Sequence, residues 1–89
     1  MTARDTSHDP AMIALNALVW TLAEPARANR LLDTTGLSPA ELRASASDPA
    51  TLAALLGFLE AHEPDLIACA DGIGVRPEAL VAAHRALAA

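Results

Sequence analysis

Six prolines divide this 89-residue chain into intervals of helical length, and each follows a residue that suits a helix start. The pairs are Asp9-Pro10, Glu24-Pro25, Ser38-Pro39, Asp48-Pro49, Glu63-Pro64 and Arg76-Pro77. Proline fits the first helical turn, where its missing N–H has no partner to lose and its fixed φ is already helical. Asp9, Ser38 and Asp48 are N-caps by residue type, and Ser38-Pro39-Ala40-Glu41 spells a capping box. Gly36 and Gly72 stand where a left-handed residue would end a helix. Alanine and leucine supply 36 of the 89 residues, and both favour helix between the prolines. No segment alternates with period two. The spacing predicts six helices, over about 10–23, 25–35, 39–45, 49–62, 64–71 and 77–87. The fold class is all-α: a single compact bundle of five to six short helices over 9–89, preceded by a disordered tail at 1–8.

The same punctuation repeats. Asp9-Pro10 recurs 39 residues later as Asp48-Pro49, and Glu24-Pro25 recurs at that offset as Glu63-Pro64. Gly36-Leu37-Ser38-Pro39 recurs as Gly74-Val75-Arg76-Pro77 at offset 38, one residue being lost in the second copy. These matches predict a tandem duplication of a three-helix unit, 9–47 and 48–87. Neither unit is long enough to bury a core alone, so one shared core is expected.

Helix four carries Leu52, Leu55, Leu56 and Leu59 as one apolar stripe. Helix one has Met12, Leu15, Val19 and Leu22 on one face and Ile13, Ala17 and Trp20 on another. Being apolar almost all round, it is expected at the centre. Around these two pack Ala28, Leu31 and Leu32 of helix two and Leu42 of helix three, with Leu66, Ile67 and Ala70 of helix five and Leu80, Ala83 and Leu87 of helix six.

Charge and composition remove whole classes of function. The net charge is −5, from six arginines, no lysine and eleven carboxylates. Such a chain lacks the positive field that broad phosphate binding needs. The apolar run from Ala11 to Ala23 spans only about 20 Å as a helix, too short for a bilayer, so no membrane partner is expected. Asp5 and Asp9 beside Arg4 argue against reading it as a signal peptide, which leaves the cytoplasm as the expected location. A single cysteine, Cys69, excludes an intrachain disulfide and a thiolate zinc cage.

No constellation of residues carries chemistry. His62, Glu63, Asp65 and Cys69 are close in sequence, but Pro64 interrupts them and no H-E-x-x-H pattern exists. His62 is expected at a helix end and no metal or cofactor is expected. Cys69 lies in an apolar stretch with no cation nearby in sequence, which makes it a structural residue. Glu60/Glu63 and Asp65/Asp71 read as solvated carboxylates. There is no glycine-rich phosphate loop, no serine elbow and no tyrosine, so the chain is not expected to be an enzyme.

Two surfaces invite binding. Arg27 and Arg30 form the one local basic cluster, with Asp33 spaced to pair with Arg30, and Trp20 is the sole tryptophan. Together with Leu37 they are the candidate contact surface for a protein partner or for a second copy in a homodimer. The rival reading is a nucleic-acid-binding helix-turn-helix, for which Ala70-x3-Gly74-Val75-x4-Leu80 has the spacing. Its contacts would be Arg43, Arg76, His84 and Arg85, a sparse set for an acidic chain.

The string Ala14-Leu15-Asn16-Ala17-Leu18-Val19-Trp20, then Gly36 to Arg43, then Asp48-Pro49 leading into Leu55-Leu56-Gly57-Phe58-Leu59, resembles a small bacterial family found mainly in alphaproteobacteria. That family is known only as a domain of unknown function. The resemblance spans nearly the whole chain and implies a short, stand-alone helical protein with no activity attached. Over Arg30 to Glu60 the chain is also similar to a ubiquitin-associated-type three-helix fold. That resemblance implies protein binding through Gly36, Leu37 and the Leu55–Leu59 stretch, although those leucines are also needed for the core. The expected function is a small non-enzymatic protein–protein interaction module, acting as an adaptor, regulator or homodimer.

Overall fold

A computed structural model describes residues 9–89; the tail expected at 1–8 lies outside them. Six helices follow in order: α1 (Pro10–Leu22), α2 (Pro25–Thr35), α3 (Pro39–Ala44), α4 (Pro49–Glu60), α5 (Glu63–Ile73) and α6 (Pro77–Ala88). Among the described residues there is no strand. Every helix has its proline in the first turn, as the spacing predicts.

The caps differ in quality. Asp9 accepts the Ala11 amide at 3.0 Å. Ser38 accepts from Glu41 N at 3.1 Å while Glu41 accepts from Ser38 N at 2.8 Å, a complete capping box. Asp48 occupies the cap position of α4 with extended backbone, but its carboxylate makes no capping bond. The expected cap is therefore only positional there.

Of the two glycines expected to end helices, Gly36 does so with φ 75°, and Gly72 does not. Helix α5 continues two residues past the expected Asp71, and Gly74 takes the left-handed conformation instead, at φ 78°. Val75 N then donates to Ala70 O at 2.9 Å and Gly74 N to Asp71 O at 3.3 Å, which satisfies two of the last four carbonyls of α5. Gly72 serves packing: a Cβ there would stand 2.7 Å from Trp20 Nε1.

Helices α1 and α4 share the centre, each touching α2, α5 and α6 as well as the other. The stripe of Leu52, Leu55, Leu56 and Leu59 is fully buried, joined by Ala53 and Phe58, so α4 is the more enclosed of the two. Helix α1 is not enclosed all round as expected. It buries Ile13, Ala14, Ala17, Leu18 and Thr21, while Met12, Val19 and Leu22 face outward. The Thr21 hydroxyl meets its own helix, donating to Ala17 O at 2.9 Å, so its burial leaves no orphan. On α5 the inward residues are Cys69 and Ala70, and Ile67 points out against expectation. The reason is common to both helices: a thin shell of short neighbours leaves one side of each uncovered.

Helix α6 packs extensively on α4 and α1, inserting Leu80 and Ala83. Helix α3 contributes Leu42 to the core and otherwise touches the bundle sparsely. The two halves thus begin with the same elements but do not close in the same way.

Candidate interaction surface

Helix α1 contains no charged residue from Pro10 to Leu22. On its outer side Met12 is 41%, Val19 68% and Leu22 41% exposed, with Leu15 partly buried beside them. Successive residues turn by about 100°, so residues 12, 15, 19 and 22 occupy one narrow strip of roughly 80° of the helix. The spacing read from sequence as one face is correct. That face is not covered as the expected central position of the helix implies: Met12, Val19 and Leu22 face outward, and only Leu15 of the four packs against the core.

Beside this strip lies a groove of about 480 Å³ between α1, α2 and α3. Leu18 and Leu22 of α1, Pro25 and Leu32 of α2, and Leu42 and Ala46 beyond them form its walls, with only Asn29 and Arg43 adding polar groups. It exists because α3 is a helix of only six residues after a sharp corner and does not lie down along α1. Leu22 belongs to both features, so the groove and the outer strip form one continuous apolar surface.

Trp20 sits at the opposite edge of the strip, half-buried against Gly72 of α5. Arg27 stacks on it at 3.6 Å from the ring centroid and donates to the Trp20 carbonyl at 2.7 Å and to Glu24 at 3.1 Å. A guanidinium thereby covers a terminal carbonyl of α1 and clamps the corner into α2. Its Nε is buried without a partner. Arg27 is a pinned structural cation, not a free rim charge.

Arg30 does not pair with Asp33 as expected. It reaches Asp65 on α5 at 3.1 Å, which also lies 3.1 Å from His62 Nδ1. The carboxylate of Asp65 is thus held between two partners and is largely shielded, not a freely solvated group. His62 is the N-cap residue of α5, where it was expected to end helix four. Leu37 is half-buried against the core, and its amide donates to the Thr35 hydroxyl at 3.3 Å. Trp20 and Arg27 are thus in contact, Arg30 reaches across to α5 and Leu37 packs into the core; the sequence marks α1 as unusually apolar but does not single out Met12, Val19 and Leu22 as its exposed residues. The signal was present in its complete lack of charge.

The residues of the rival reading are scattered. Arg43 lies on the groove wall, exposed on α3. Arg76 is the N-cap of α6, and Arg85 lies nine residues on, half a turn out of phase. His84 is tied to Glu60 of α4, Nδ1 to Oε2, at 2.8 Å, which also takes Glu60 out of the expected solvated set.

Cys69 is fully enclosed, and burial pushes its thiol from an ordinary 9.0 up to about 11, with Arg27 opposing the rise and Asp65 adding to it. Sequence gave no hint of Arg27 as a neighbour, since it comes from another helix. Such a thiol stays protonated at neutral pH. Among the described residues no group of three or more His, Cys, Asp or Glu gathers to hold a metal.

The positions that a ubiquitin-associated-type fold would present to a partner, Leu55 to Leu59, include three leucines buried in the core. That correspondence fails at its binding residues. No curated protein and no solved structure matches the chain. A family model described as a protein of unknown function, DUF3572, matches residues 7–89, which agrees with the resemblance carried by the Ala14–Trp20 and Gly36–Arg43 strings. The chain belongs to that family.

Proposed function

We propose that this chain is a small non-enzymatic protein–protein interaction module of the bacterial cytoplasm, built from two copies of one helical unit. One observation carries the reading: a helix without a single charge exposes Met12, Val19 and Leu22 beside an apolar groove. An uncovered apolar surface of this kind, on an otherwise acidic protein, is what a contact site looks like. The Asp-Pro, Glu-Pro and Gly-φ-x-Pro corners support the shared origin of the halves, as do the two left-handed glycines at equivalent corners. Among the described residues no helix is long and apolar enough to cross a membrane.

The helix-turn-helix alternative draws support from the α5–Gly74–α6 corner. Against it, α6 packs along α4 and α1, His84 is engaged by Glu60, and Arg76 and Arg85 lie on opposite sides. Duplex binding needs cations gathered on one face.

Affinity capture from a lysate of the source organism, with and without nuclease, tests the choice. The interaction reading expects protein recovery that survives nuclease and is lost in Val19→Glu. Recovery abolished by nuclease, and weakened by Arg76→Glu or Arg85→Glu while Val19→Glu has no effect, contradicts it.

A further inference from the structure

We infer that the occupant of the outer face of α1 is a second copy of this chain, bound as an antiparallel pair of α1 helices about a two-fold axis. This rests on the reading of that face as the contact surface and names what covers it.

The seam residues Met12, Leu15, Val19 and Leu22 are separated by three, four and three positions. That spacing is the a/d pattern of paired helices, and it reads the same in both directions. An antiparallel copy therefore presents an identical seam. In one register Met12 meets Leu22 of its partner and Leu15 meets Val19 of its partner, each contact occurring twice, as a two-fold interface requires.

Charge selects the same arrangement. Two chains of −5 repel each other at long range, and they can meet without burying a charged side chain only where none exists. Helix α1 is that place. The groove also finds its occupant here: Met12 of the partner lies over Leu22, at the wall shared with Leu18 and Leu32. Methionine is suited to filling such an irregular opening. A helix of thirteen residues is about 20 Å long, and four seam side chains from each copy make a small contact. The dimer is accordingly weak, with a dissociation constant from roughly micromolar to millimolar. Because both copies carry a net charge of −5, added salt screens their repulsion and strengthens the pair.

Sedimentation velocity on the full chain over a concentration series is the test. The wild type shifts from monomer to dimer, and more readily at high salt. Val19→Glu, at an exposed site where circular dichroism checks the fold, weakens association at least tenfold. Ala82→Glu adds the same charge to an exposed site on α6 and leaves association close to wild type. Mixing Met12→Cys with Leu22→Cys chains yields a mixed disulfide in preference to either homodisulfide. A wild type that stays monomeric at every concentration overturns the proposal. If Val19→Glu nonetheless abolishes protein capture from lysate, the contact surface itself stands and only its occupant is wrong. A dimer indifferent to Val19→Glu, or one that joins Met12→Cys to itself, also overturns it.

Discussion

The first three helices and the last three start from the same punctuation and end in different packing. In the second half α6 runs twelve residues and lays Leu80, Ala83 and Leu87 along the bundle, while α3 in the first half runs six and commits only Leu42. The floor beneath each differs too. Gly57 of α4 leaves room for His84 of α6, whose Cε1 would be 3.4 Å from an added Cβ, whereas the residue 39 positions earlier is Leu18, on the groove wall. Turn chemistry thus sets where a helix starts, and the length of apolar stripe that follows decides whether it closes the core. The half with the short third helix is left open, and its first helix stays bare on one side.

The largest effect should separate the two third helices. Leu80→Ala, which empties a fully buried site on α6, should cost about 3–5 kcal/mol by denaturant unfolding. Leu42→Ala on the sparsely held α3 should cost about 2 kcal/mol or less, because the corner can settle over the gap. Equal losses would mean that α3 is as firmly built in as α6.

Two helical glycines sharpen the contrast in packing. Gly72→Ala drives a methyl against the Trp20 ring and should destabilise by about 1–3 kcal/mol, with a shift in Trp20 fluorescence. Gly57→Ala meets His84 only at contact distance and gains up to about 1 kcal/mol of helix propensity, so its net change should be near zero.

The corners themselves differ by less. Ser38→Ala breaks the capping box and should cost about 1 kcal/mol. Arg76→Ser supplies a side-chain cap that α6 lacks and should stabilise by about 0.5–1 kcal/mol.

A final difference is nil at neutral pH. Leu31 on α2 and Cys69 on α5 are both fully buried, and only the second titrates. Its thiol keeps the proton in the folded chain to about 11 but releases it near 9.0 when unfolded. The stabilisation is complete below pH 9 and falls as pH rises toward 11, since the unfolded state then binds fewer protons. The chain has no lysine and no tyrosine, so Cys69→Ala should flatten stability across that window.

Much of this architecture is legible in sequence because prolines and caps act locally. The six helix starts, the Leu52–Leu59 stripe and the capping box at Ser38 need no knowledge of neighbours. The end of α5 is not local: Gly72 and Gly74 both suit a helix end by residue type, and in the fold Gly72 stays helical against the Trp20 ring while Gly74 takes the left-handed turn. The orientation of α1 fails for a related reason. A helix apolar all round has no preferred inward face, and which side is covered depends on how far its neighbours reach. Arg30 choosing Asp65 over Asp33, and Arg27 lying close enough to Cys69 to affect its thiol, depend likewise on contacts between helices.

Methyl-resolved NMR of the full chain over a concentration series reads the central claim directly, that two copies of the chain pair through the bare face of α1. The account predicts concentration-dependent shifts at Met12, Leu15, Val19 and Leu22, weaker ones at Leu18 and Leu32, and none at Ile67 or Val81. Shifts centred on Ile67 or Val81 with α1 silent, or no shift at any methyl, would contradict it.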